Sequence, residues 1–98
     1  MTEGHSVISP DVLATYAADA AREVEGVREL AGKGSVKVAR DEGQVTVELH
    51  LVLDWGAHAG EVGSKVQAHV ADCLARMADV RPHTIDVIVD EWRSASSG

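Results

Sequence analysis

VTVELHLVLDW, residues Val45 to Trp55, is the stretch on which the fold turns. Val45, Val47, Leu49, Leu51, Leu53 and Trp55 recur at every second position, with Thr46, Glu48, His50, Val52 and Asp54 between them. Successive side chains of a strand point to opposite faces, so this period predicts a long strand with one buried face. Upstream, Val36 and Val38 alternate with Ser35, Lys37 and Ala39, which reads as a second strand. The two are joined by Asp41, Glu42 and Gly43, a hairpin connection in which Gly43 can take a positive φ. Gly32 to Gly34 reads as a turn. Downstream, Gly56 stops the long strand, and Val62, Val66, Val70, Cys73, Leu74 and Met77 form a helical stripe between Ala59 and Ala78. Arg81-Pro82 closes that region. Thr84 to Trp92 reads as the last strand, with Ile85, Val87 and Val89 on one face and Asp86, Ile88 and Asp90 on the other.

The N-terminal part supplies the other helix. Ser9 is a good N-cap, Pro10 suits the first helical position, and Asp11 meets the positive end of the helix dipole. Leu13, Tyr16, Ala17, Ala20 and Val24 form a small-residue stripe, and Gly26 fits the left-handed position that ends the helix. Residues His5 to Ile8 could add a short edge strand. The expected architecture is α+β, (β)αββαβ, with two helices packed on one face of a three- to four-stranded antiparallel or mixed sheet. Residues 1–92 form one domain in this reading, and 93–98 (RSASSG) form a disordered polar tail.

Composition narrows the function. A 98-residue chain with 45% apolar residues buries one core, yet it has no Phe, one Tyr and two Trp, so packing rests on Val, Ala and Leu. The formal charge of −7 repels phosphate backbones and anionic lipid. The N-terminal residues lack the basic and apolar regions of a secretory signal, and no apolar run approaches the roughly 20 residues that cross a bilayer. Cys73 is the single cysteine, which excludes an intrachain disulfide and fits a reducing compartment.

ISPDV (Ile8 to Val12), the alanine-rich helix ending in VEGV (Val24 to Val27), VTVELHLVLDWG (Val45 to Gly56), EVGSKVQAHV (Glu61 to Val70) and IDVIVDEW (Ile85 to Trp92) follow one another in an order that resembles the alkaline shock protein/Gls family of envelope stress response proteins. The resemblance implies a non-enzymatic cytoplasmic protein of Gram-positive-type bacteria. It implies self-assembly into a homo-oligomer, or attachment at the membrane through a separate anchoring protein. Relatives carry a longer Gly-rich insertion after the VEGV-like end, and a proline where this chain has Ala59-Gly60.

Gly60 to Gly63 (GEVG) has the form of the loop with which KH domains grip a nucleic-acid backbone, which makes a KH-like nucleic-acid binder the alternative function. Glu61 and the acidic chain oppose it, leaving Lys65 as the only close cation. His69 and Cys73 lie one helical turn apart, but two side chains make no metal site. AGKGS (Ala31 to Ser35) lacks the strand and helix that a phosphate loop needs. His50, with Glu48 and Asp86 on the same sheet face, is the constellation in which catalysis would first be sought. The expectation is no enzyme, no cofactor and no metal. Instead, the sheet face turned away from the helices is expected to carry a protein contact through Val52, Ile88, Trp92, His50 and Asp86.

Overall fold

In a computed structural model, residues 9–94 are described, as two helices and four strands. They run α1 (Pro10–Arg22), β1 (Val27–Leu30), β2 (Val36–Asp41), β3 (Gln44–Asp54), α2 (Ala59–Ala78) and β4 (Thr84–Arg93). The proposed strand at His5 to Ile8 and the tail from residue 95 lie outside the described residues. Arg93, assigned to the tail on sequence, is instead the last residue of β4.

β3 is the spine of the sheet. β2 pairs with it antiparallel through the hairpin, and Glu42 and Gly43 both take positive φ, as a two-residue type I′ turn requires. β4 runs parallel to β3 along its whole length, returning through α2, so the sheet is mixed. With that edge filled, β1 and β2 share the other edge end to end: β1 pairs with Leu51 to Leu53 and β2 with Gln44 to Leu49. The glycine turn leaves the edge between them, opposite His50. His50 receives a hydrogen bond from the Ala31 N–H and donates its own N–H to the Ser35 carbonyl, so its backbone stays paired.

Val45, Val47, Leu49, Leu51 and Leu53 are all buried against Leu13, Ala17, Ala20 and Ala21 of α1 and Val62, Val66, Val70 and Leu74 of α2. Both helices therefore cover the same face. Alanines on α1 allow this without large aromatics, because small side chains bring the helix close to the sheet. The Ser9 hydroxyl accepts from the Val12 N–H and caps α1. The helix proper ends at Arg22, short of Gly26; Glu23 and Val24 continue it in tighter turns through bonds to the Ala20 and Ala21 carbonyls. Gly26 then reverses the chain with φ +100, and a Cβ there would sit 2.7 Å from Val62 Cγ2. Such close approach of backbone to the core is open only to glycine.

Trp55 departs from the expected pattern. The strand ends at Asp54, and the Ala57 N–H bonds back to the Asp54 carbonyl across a turn with Gly56 at φ +90. A tight turn aims its second residue outward, and Trp55 is 74% exposed rather than part of the core.

Candidate interaction surface

Opposite the helices, the sheet presents Lys37 from β2, Thr46, Glu48, His50 and Val52 from β3, and Asp86 and Ile88 from β4. No helix of the described residues covers this face. The alternation of β3 places Glu48 and His50 here, and β4 keeps the matching parity as far as Val89. There a bulge intervenes: Val89 pairs with Leu51 and Glu91 with Val52, so Asp90 is an extra residue.

The bulge has two effects on the site. Its extra residue, Asp90, keeps the open-face parity, and its Oδ1 lies 3.0 Å from His50 Nδ1, while Glu48 Oε2 lies 2.6 Å from His50 Nε2. The constellation around His50 is thus Glu48 with Asp90, whereas Asp86 pairs in register with Glu48 and makes no bond to the ring. A neutral imidazole donates one hydrogen bond; an imidazolium donates two and satisfies both carboxylates. Hydrogen bonding to the Asp90 carboxylate, followed by that to Glu48, raises the His50 pKa above its ordinary 6.5. Both ring nitrogens are thus engaged by carboxylates, one on the histidine's own strand and one on β4, which ties the two strands together.

The second effect is a reversal of faces beyond Asp90. Trp92 pairs with the buried Leu53, and its indole N–H donates to the Ala57 carbonyl at 3.3 Å. It therefore lies toward the helical side at the end of the sheet and is not part of the open face on which the sequence placed it. Glu91 and Arg93 take the open-face positions instead. Arg93 pairs with Glu91 on its own strand and reaches Glu29 on β1, spanning β3 at the level of Val52. The two carboxylates, Glu91 first, raise the pKa of the guanidinium further. Beneath this strap Val52 is only 2% exposed, so it is a buried residue of the second face and not an available contact. Of the apolar positions expected there, Ile88 alone is open, at 37%.

The remaining sequence candidates separate. Gly60 and Gly63 lie in the first turns of α2, not in a loop, and Gly63 approaches Val87 of the sheet (4.0 Å from a built Cβ), so the nucleic-acid clamp does not exist in that form. His69 Nε2 sits 2.7 Å from Glu23 Oε1, joining α2 to α1, and Cys73 donates weakly to the Tyr16 carbonyl. These residues border a groove of about 320 Å³ between the helices, and burial pushes the Cys73 thiol up rather than activating it. Among the described residues, no group of three or more His, Cys, Asp or Glu side chains is placed to hold a metal. No described helix is long and apolar enough to cross a membrane.

A helix pair backing one face of a mixed sheet, with a charged, uncovered face opposite, defines an α+β domain built around a surface rather than a cleft. Residues 1–93 match the alkaline shock protein 23 family, described as having a cell envelope-related function, and the chain belongs to that family. An uncharacterised protein of Streptococcus pyogenes serotype M6, Spy1535, is 28% identical over 100 residues, spanning 89% of this chain and 78% of its own. Among solved structures, a doubly substituted MamM CTD superposes with a TM-score of 0.69 at 16% identity, covering 90% of this chain and 88% of its own. A singly substituted MamM gives 0.66 at 18% identity, covering 90% and 89%. A manganese form of a MamM CTD variant gives 0.58 at 14% identity, covering 83% and 96%. At these identities the likeness is one of fold.

Proposed function

We propose that this domain is a non-enzymatic interaction module of the Gls type. It works at the cytoplasmic side of the envelope of a Gram-positive-type bacterium by binding copies of itself or a membrane-anchored partner. The observation that carries the proposal is the uncovered sheet face, on which Ile88 stands open beside the Glu48–His50–Asp90 clamp. An apolar position framed by fixed charges is the composition of a modest protein contact: the apolar centre supplies affinity and the rim supplies register. The envelope-related family and the Streptococcus relative support the setting. Light scattering on wild type and Ile88→Glu tests the self-association arm, and capture of membrane proteins on each immobilised chain tests the partner arm. Loss of assembly or capture in the variant, with an unchanged melting curve, is the expected result. Equal mass together with equal capture would refute the proposal.

A further inference from the structure

One contact on the open face needs a proton to hold its geometry. His50 Nδ1 lies 3.0 Å from Asp90 Oδ1, and Nε2 lies 2.6 Å from Glu48 Oε2, so the ring stands between two carboxylate oxygens, one on β4 and one on its own strand. Ionised carboxylates only accept hydrogen bonds, and a neutral imidazole has one N–H to give. Once the second ring proton passes to water, one nitrogen turns a lone pair toward a carboxylate oxygen, and that contact becomes repulsive. His69 shows the contrast. Its Nε2 meets Glu23 Oε1 alone at 2.7 Å, and a neutral ring keeps that bond by holding its proton on Nε2.

The surroundings decide which contact of His50 gives way. Glu48 is two residues away on the same strand, so both side chains stay on one face of β3, and Lys37 of β2 pairs with Glu48 in register. Asp90 is the extra residue of the β4 bulge and has no cross-strand pair. As far as that bulge, β4 brings only Asp86, Ile88 and Asp90 to this side of the ring, Ile88 standing in register with His50. Opposite, the turn between β1 and β2 carries Lys33, and Glu29 of β1 is bridged to Glu91 by Arg93. That guanidinium keeps its charge wherever an imidazole titrates, so the strand end can loosen without leaving the sheet.

We propose that the His50 proton latches the β4 bulge to β3: the charged ring ties Asp90 across the sheet, and loss of the proton as pH rises frees the Asp90 carboxylate and loosens the strand end from Asp90 to Arg93. The two carboxylates, Asp90 first, place this loss above the ordinary range of histidine. The latch goes beyond the module reading and is independent of which partner the face meets. It sits beside the open Ile88 side chain, so the same proton sets the charge and the freedom of the face there.

The test is amide hydrogen exchange by NMR across a pH series, with the His50 ring nitrogens and the Asp90 carboxyl carbon followed in the same samples. The Trp55 N–H donates to the Arg93 carbonyl and reports on the β4 end; the Asp54 N–H donates to the Gly26 carbonyl and reports on the opposite side of β3. As pH rises through the His50 titration, the Trp55 amide should lose about 2- to 5-fold in protection, corrected for intrinsic exchange, the size expected of one solvent-screened ion pair. The Asp54 amide should hold. Asp90→Asn should remove the step, because a carboxamide accepts from the charged ring and donates to the neutral one. Glu23→Gln, at the His69 contact, should keep it. Trp55 protection or an Asp90 carboxyl signal that does not follow the His50 titration in the wild type would overturn the proposal, as would a step of equal size in Asp90→Asn. An equal loss at Asp54 would mean general loosening of the sheet end and would overturn it too. Assembly enters none of these readouts, so the module reading stands or falls separately, on Ile88→Glu.

Discussion

Replacing Gly26 by alanine probes how the two layers are closed at the end of the core. Gly26 sits at φ +100, and an added Cβ would meet Val62 Cγ2 at 2.7 Å, well inside van der Waals contact, and Ala57 Cβ at 3.6 Å. Two costs combine. Holding an L-residue at positive φ costs about 1–2 kcal/mol, and forcing a carbon into a packed site costs about 1–3 kcal/mol more. Val62 is nearly fully buried on a helix and cannot swing aside. Gly32 separates the costs, since it has φ +92 and nothing within 4 Å of its built Cβ. In urea denaturation, Gly32→Ala should lose only the backbone part, about 1–2 kcal/mol, and Gly26→Ala about 2–5 kcal/mol. Combining Gly26→Ala with Val62→Ala removes the atom that clashes, so the double variant should be more stable than the sum of the singles by roughly 1 kcal/mol or more. Equal losses at Gly26 and Gly32, or strict additivity in the double variant, would refute the packing argument.

Two further outcomes follow from the open face. Val52→Ala should cost about 1.5–3 kcal/mol, from two lost methyl groups and a small cavity beneath the Arg93 strap, whereas Ile88→Ala should stay within about 1 kcal/mol of wild type; equal costs in denaturant titrations would contradict the placement of Val52. His50 binds its proton more tightly in the native state than in the unfolded chain, so its contribution is fully present below pH 6.5 and is lost as pH rises through the elevated native pKa. Stability of wild type should therefore decline over that range relative to His50→Gln, and parallel pH profiles would show that the clamp does not hold the proton.

The parts of this molecule that the sequence disclosed are those governed by a regular period. Val45 to Leu53 alternate without interruption, and the stripe Val62, Val66, Val70, Leu74 repeats at helical spacing, so α2 emerged at its bounds, β3 emerged except for Trp55 at its end, and both helices fell on one face as expected. β1 did not emerge: Val27–Leu30 is a short VREL segment whose pairing with β3 is interrupted by a bulge at Arg28, and four residues give no readable period. The site was legible only up to the β4 bulge. His50, Glu48 and Asp90 share a face by simple parity, though the sequence did not show that Asp90 rather than Asp86 bonds the ring, and one extra residue in β4 carries Trp92 to the other side. A bulge is a choice between pairing registers, made by tertiary contacts that no local pattern announces. Val52 was misplaced for a related reason, since the ion pairs that cover it join β4 to β1, a strand the pattern did not show.

The central claim is that partners meet the sheet face, not the helical layer. Capture of membrane proteins by Ile88→Glu can be compared with capture by Met77→Glu, which adds the same charge to a more exposed apolar position on α2. The account predicts that Ile88→Glu loses capture while Met77→Glu retains it at matched folded stability; the reverse order would contradict it.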